Sequence, residues 1–164
     1  MLYKAKGKDP AAEKITLALE PVVSGLGFSI LELSVSRHRG SARIRIVITP
    51  GKPRVAPESG RNGLSIGTGE LGKVHRAVLP RLEAAMEGAD FSVECSSPGI
   101  DRTIKEGAEF VYFYGRLVRC YLPAESNWIC GVLKEADEKK ITLKNGETEI
   151  ELEYENIAKA KLDD

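Results

Sequence analysis

Residues 94–102 read Glu94-Cys95-Ser96-Ser97-Pro98-Gly99-Ile100-Asp101-Arg102, and their reading decides how the chain is divided. Pro98 fixes its own φ near the value wanted at the second position of a turn. Gly99 can take the positive φ that a type II turn needs next. The stretch therefore predicts a sharp bend. Upstream, Phe91, Val93 and Cys95 alternate with Ser92, Glu94 and Ser96, the period of a half-buried strand. Downstream, Ile100, Asp101 and Arg102 lead into a segment of different periodicity. A flexible linker is longer, richer in Gly and Ser, and lacks a fixing Pro. Ser96, Ser97, Pro98, Gly99, Asp101 and Arg102 thus read as a stiff interdomain seam between residues 1–97 and residues 98–164. The same turn chemistry also suits an ordinary loop inside one domain.

Composition supports a division. Residues 1–97 carry 14 Lys or Arg against 10 Asp or Glu, and residues 98–164 carry 10 against 14, so the surface changes sign at the seam. At 42% hydrophobic and 29% charged residues the chain has the composition of a soluble globular protein. The first 14 residues are too charged for a secretory signal and no run is long and apolar enough to span a bilayer, so a cytoplasmic address and no membrane association are expected. Cys95, Cys120 and Cys130 form an odd set without a Cys-x-x-Cys pair and read as small buried hydrophobes.

In the first half, Asp9-Pro10 caps a helix whose apolar residues recur at Ile15, Leu19, Val22, Val23 and Leu26, with Pro21 inside it and Gly25 or Gly27 ending it. A strand over residues 28–36 has Leu31, Leu33 and Val35 on one face. A basic tip follows, Arg37-His38-Arg39-Gly40. The returning strand, residues 41–49, puts Ala42, Ile44, Ile46 and Ile48 on one face and Arg43, Arg45 and Val47 on the other. Arg37, Arg39, Arg43 and Arg45 are the candidate binding residues, because a cation cluster of this kind can follow a phosphate backbone. A solvated, edge-protecting sheet face has the same spacing. Residues 50–67, with Lys52, Arg54 and Arg61, read as a loop that orders against a partner if at all. Thr68 is expected to cap a second helix carrying Leu71, Val74, Val78, Leu82 and Met86, which Pro80 must bend or split.

Helix, strand, strand, helix, strand describes a two-layer α+β domain with a three-stranded sheet, KH-like in its order of elements. The Gly-x-x-Gly clamp of KH modules is missing between its helices.

In the second half, Gly107 to Tyr114, dense in aromatics from Phe110 to Tyr114, reads as a short helical turn ended by Gly115. Five strands follow, at residues 116–122, 128–134, 140–144, 147–154 and 158–162, with Asn145-Gly146 as a type I′ hairpin turn. Five short strands can escape open edges by curling into a small barrel. Trp128 and Tyr112 to Tyr114 can stack bases, but the run lacks interleaved cations, and barrel packing is the favoured role. Glu147, Glu149, Glu151 and Glu153 alternate with Ile150 and Leu152, giving the strand a negative face that suits a basic protein.

The stretch Val93-Glu94-Cys95-Ser96-Ser97-Pro98-Gly99-Ile100-Asp101-Arg102 resembles the hallmark of the RimP family of bacterial ribosome maturation factors. Leu19-Glu20-Pro21-Val22-Val23, Gly25-Leu26-Gly27-Phe28, Phe113-Tyr114-Gly115-Arg116 and Asn156-Ile157-Ala158-Lys159-Ala160-Lys161-Leu162 resemble further family segments. The chain departs at Thr103, where the family has proline, which predicts a loosened start to the second domain, and in its longer loop over residues 51–67. The resemblance implies an SH3-like or Sm-like barrel as the second domain. It also implies a monomeric factor that binds the free small (30S) ribosomal subunit near the future decoding region, contacting rRNA and a basic ribosomal protein. No catalytic constellation, metal-ligand spacing or cofactor motif is present in the sequence, so no enzyme activity, metal or cofactor is expected. The other readings are an RNA-binding translation regulator acting through the barrel, and a pure protein-interaction module.

Overall fold

The computed structural model describes residues 9–51, 66–99 and 102–163. The chain separates into two compact units, whose described residues are 9–51 and 66–98 in one, and 99 and 102–163 in the other.

The first unit begins with α1, Pro10–Gly25, capped as the sequence predicts: Ala11 N–H donates to Asp9 Oδ1 at 3.2 Å and Pro10 occupies the first turn. Gly27, with φ +87°, turns the chain into β1, Phe28–His38. β2, Ser41–Pro50, returns antiparallel, and the connecting turn places Arg39 at φ +50° and Gly40 at φ +81°. Positive φ at both central residues is the demand of a type I′ hairpin. α2, Thr68–Met86, then carries the chain to β3, Asp90–Ser96, which pairs parallel to β2. The sheet order is therefore β1-β2-β3, with β2 central.

One face of this sheet is covered by both helices. Ile15, Leu19 and Val23 of α1 and Val74, Val78, Leu82 and Met86 of α2 form one cluster with Ala42, Ile44, Ile46 and Ile48 of β2. Three local expectations need correction. Gly67, not Thr68, is the cap of α2, its N–H donating to Glu70 Oε2 at 3.0 Å. α2 also runs unbroken through Pro80. Pro80 and Arg76, the residue whose carbonyl loses its partner, both lie on the exposed side, so water can replace the missing bond while the buried stripe holds the helix on the sheet. In β1 a bulge between Ile30 and Glu32 makes Leu31 the extra residue. Ile30, rather than Leu31, therefore joins Leu33 and Val35 against the core.

The second unit is an antiparallel sheet of six strands in the order β4-β9-β5-β6-β7-β8. These are β4, Thr103–Ile104; β5, Leu117–Leu122; β6, Asn127–Ala136; β7, Lys140–Asn145; β8, Thr148–Glu153; and β9, Lys159–Leu162. A 3-10 turn, Gly107–Tyr112, precedes β5, and a second, Tyr154–Asn156, separates β8 from β9. The core is built from Ile104, Phe110, Phe113, Val118, Leu133, Ile141, Leu143, Ile157 and Leu162, all at most 1% exposed. Phe110 stacks on Tyr154 with ring centroids 5.7 Å apart, and the Tyr154 hydroxyl donates to the Asp137 carbonyl at 2.7 Å.

Among the described residues the closure expected of a five-stranded barrel is not found. A sixth strand, β4, is added, and among the described residues the terminal strands β4 and β8 are not paired with each other. β4 is two residues long and β8 carries Glu149, Glu151 and Glu153, so a short edge and a charged edge protect the sheet without closure. Thr103 opens β4 and pairs with Lys161. The β7–β8 turn is also displaced by one residue from expectation. Asn145 pairs with Thr148, so Gly146, φ +63°, is the first central residue, as in a type II′ turn, and Glu147 belongs to the turn.

Candidate functional site

The strand registers decide which of the candidate arginines share a surface. Arg43 lies opposite Ser36 on one side and Ser92 on the other, and Arg45 lies opposite Ser34 and Glu94. Both arginines are exposed and stand on the sheet face away from the helices, because their neighbours Ala42, Ile44 and Ile46 are buried on the other face. Three of their four cross-strand neighbours are small serines, Ser34, Ser36 and Ser92, and the fourth is Glu94. Arg37 is different. Its partner is Ala42, which puts it on the helix-side face at the hairpin end, and Arg39 occupies the turn itself. The structure therefore brings Arg43 and Arg45 together on one face and places Arg37 and Arg39 at the tip, with Arg37 registered to the opposite side.

Arg43 Nη2 donates to Glu94 Oε2 at 3.1 Å, with the two side chains 70% and 49% exposed. An ion pair this open contributes only ~0–1 kcal/mol. A phosphate can replace the Glu94 carboxylate at little cost, since the guanidinium fork suits either anion.

On the second unit the acidic strand has company. The register aligns Glu149 with Lys144, Glu151 with Thr142 and Glu153 with Lys140. Lys134 pairs with Glu149, and Lys140 Nζ pairs with Glu151 at 2.8 Å. These bonds lower the Glu149 carboxyl from its ordinary value and raise the Lys140 ammonium. The negative face expected from β8 alone is thus a ladder of alternating signs once its neighbours are in place. Long-range pairing brings in lysines that the local pattern does not reveal.

At the seam, residues 97–99 adopt no regular structure, and the Arg102 N–H donates to the Gly99 carbonyl at 3.3 Å. Ile100, the last residue of the expected turn, and Asp101 lie outside the described residues, as do Lys52, Arg54 and Arg61. Ser96 is half-buried, and its Oγ is shielded from solvent without a hydrogen-bond partner among the described residues. Arg102 points into its own unit. Its Nε and Nη2 both donate to Glu109 Oε2, at 3.3 and 3.2 Å, and both side chains are only 10% exposed. Burial pushes the Glu109 carboxyl upward and the Arg102 charge opposes that rise. The pair ties the end of the seam to the first 3-10 turn.

Burial raises the Cys95 thiol to about 11 and the Cys120 thiol to about 12. Both stay protonated at neutral pH, which leaves little thiolate for nucleophilic chemistry. All three cysteines are free. Among the described residues no group of three or more His, Cys, Asp or Glu side chains could hold a metal ion, and no helix is long and apolar enough to cross a membrane. His75 is half-buried on α2 and His38 exposed at the tip of β1.

An α+β unit with an arginine-bearing sheet face, followed by an antiparallel unit with a lysine–glutamate ladder, defines a class: a two-unit protein that presents charged sheet faces. The comparisons with known proteins make that class specific. Residues 18–101 match the family described as RimP N-terminal domain. A protein of Borrelia hermsii named Ribosome maturation factor RimP is 30% identical over 144 residues, 88% of this chain and 90% of the relative. One of the same name from Borrelia garinii subsp. bavariensis is 31% identical over 137 residues, 84% and 85% of the two chains. A third, from Albidiferax ferrireducens, is 35% identical over 123 residues, 74% of this chain and 57% of the relative. The chain belongs to the RimP family, which is not a known enzyme class.

Proposed function

We propose that this protein is a cytoplasmic ribosome assembly factor that binds the free small ribosomal subunit and promotes its late maturation. The single observation that carries the mechanism is the pairing of Arg43 and Arg45 on one exposed, serine-flanked sheet face, next to a tip bearing Arg37 and Arg39. That face takes rRNA phosphates, and Arg43 exchanges its exposed Glu94 partner for a phosphate. The second unit meets a basic ribosomal protein along β8, the sheet edge, whose carboxylates exchange lysines of their own sheet for those of the partner. We read this unit as a coiled, SH3-like sheet. Support comes from the 3-10 turn before β9 and from the way β9 bridges β4 to β5. The short seam of Ser96, Ser97, Pro98, Gly99, Asp101 and Arg102 limits the spacing of the two contacts, so that once one unit binds, the other binds at high effective concentration.

The membership in a family of ribosome maturation factors supports this reading. Sucrose-gradient fractionation of cells carrying a tagged copy tests it. The protein should migrate with free small subunits and be missing from translating ribosomes. An even distribution over all ribosomal fractions, or none on subunits, contradicts the proposal.

A further inference from the structure

The outer face of the second sheet collects an aromatic and cationic patch that no local stretch of sequence reveals. Across one row the register aligns Lys159 of β9, Tyr121 of β5 and Trp128 of β6; across the next it aligns Lys161, Arg119 and Cys130. The inner face of the same strands is filled by Val118, Cys120, Leu122 and Ala160, all buried, so the aromatic pair is not needed there for packing. The Tyr121 and Trp128 rings lie 5.3 Å apart at 54°, and the Arg119 guanidinium sits 5.2 Å from the Trp128 ring centroid. Trp128 nevertheless remains 38% exposed. One carboxylate enters the patch: Asp163 Oδ1 lies 3.7 Å from Arg119 Nε, and its Oδ2 lies 3.9 Å from the Cys130 thiol. Three cations against one acid leave the patch positive, in a unit whose sequence is acidic overall.

We infer that this face is a stacking surface for an unpaired stretch of RNA. A base lies against Trp128 and Tyr121, while Lys159 and Lys161 hold the flanking phosphates. The combination of exposed rings with cations on a rigid sheet is what single-strand recognition uses, because every base has a π-face and every linkage a charge. The objection that the aromatic run lacks interleaved cations holds along the sequence and fails across the sheet, since both lysines come from β9. Charge also selects the occupant: a basic protein is repelled here, whereas an unpaired polyanion gains both stacking and ion pairing. A duplex gains less, its bases being stacked on each other already. The inference rests on the assembly reading only for choosing RNA over DNA.

Trp128 is the only tryptophan of the chain, so its emission reports this patch directly. The full-length protein is titrated with a single-stranded oligouridine of about ten nucleotides and with an RNA duplex of equal length. The single strand should quench Trp128 with an affinity that falls as salt rises, and the duplex should bind at least ~10-fold more weakly. Lys159→Gln with Lys161→Gln keeps the fluorophore and should weaken the single strand ~10-fold. The inference is overturned by absence of quenching, by equal affinity for duplex and single strand, or by unaltered binding in the lysine variant. Each of these leaves the assembly reading standing. Conversely, a protein that quenches as described but never associates with small subunits removes the assembly reading alone.

Discussion

Arg102→Leu leaves the Glu109 carboxylate buried without its cation, and the consequence can be worked out from the pair. At 3.2 Å, with both side chains 10% exposed, the attraction is ~5 kcal/mol at an effective dielectric of about 20. The observable loss is smaller, because Glu109 escapes the penalty by taking up a proton. Protonation at pH 7 of a carboxyl whose ordinary value is 4.5 costs at most ~3.4 kcal/mol, at ~1.4 kcal/mol per pH unit. The variant should therefore lose ~2–3 kcal/mol at pH 7. Burial already raises Glu109 in the parent, and loss of Arg102 raises it further. A raised carboxyl makes the folded state bind more protons than the unfolded state, so stability falls as pH rises from 4.5 through the folded value. The deficit must then shrink on acidification, to below ~1 kcal/mol at pH 5. Urea unfolding followed by Trp128 emission measures the unit concerned. The double variant Arg102→Leu with Glu109→Leu should recover most of the loss, since no charge is left buried. A deficit that is the same at pH 5 and pH 7, or a double variant as unstable as the single one, refutes this reasoning.

Two further outcomes follow from close contacts and from the seam. A β-carbon on Gly131 would stand 2.9 Å from the Leu143 β-carbon and 3.1 Å from the Lys144 carbonyl oxygen, so Gly131→Ala should cost ~1–3 kcal/mol in the same urea assay; a neutral effect means β6 and β7 are not packed this closely. Replacing Pro98 and Gly99 by a long Gly/Ser linker should leave both units folded by circular dichroism yet impair subunit maturation in a complementation assay. Full complementation removes the requirement for a short seam.

The first unit was legible because its signals are local. Asp9-Pro10 marks a cap, Leu19 and Val23 recur with the helix, and Ala42 to Ile48 alternate with the strand, each within a few residues of its neighbours. What failed there also has a local cause: an extra residue at Leu31 inverts the faces upstream of it, and a one-residue bulge leaves no mark in the hydrophobic pattern. Pro80 misleads because its penalty depends on which side of the helix it faces, a property of the fold. In the second unit the strands were recognisable, but sheet order and faces are set by pairings between distant segments. Lys134 and Lys140 offset the β8 glutamates, and Lys159 and Lys161 flank Tyr121 and Trp128, only after β6, β7 and β9 find their places. The arginine site was half legible for the same reason. Strand spacing joins Arg43 to Arg45, while the face taken by Arg37 follows from its register against Ala42.

The central claim is that a sheet face built on Arg43 and Arg45 grips the small subunit through phosphates. Its most direct measurement is the salt dependence of binding to purified free small subunits, for the parent protein and for Arg43→Glu with Arg45→Glu. The account predicts weaker binding and a plot of log K against log salt whose slope is shallower by about 2, one for each lost phosphate contact. An unchanged affinity and slope in the variant contradicts it.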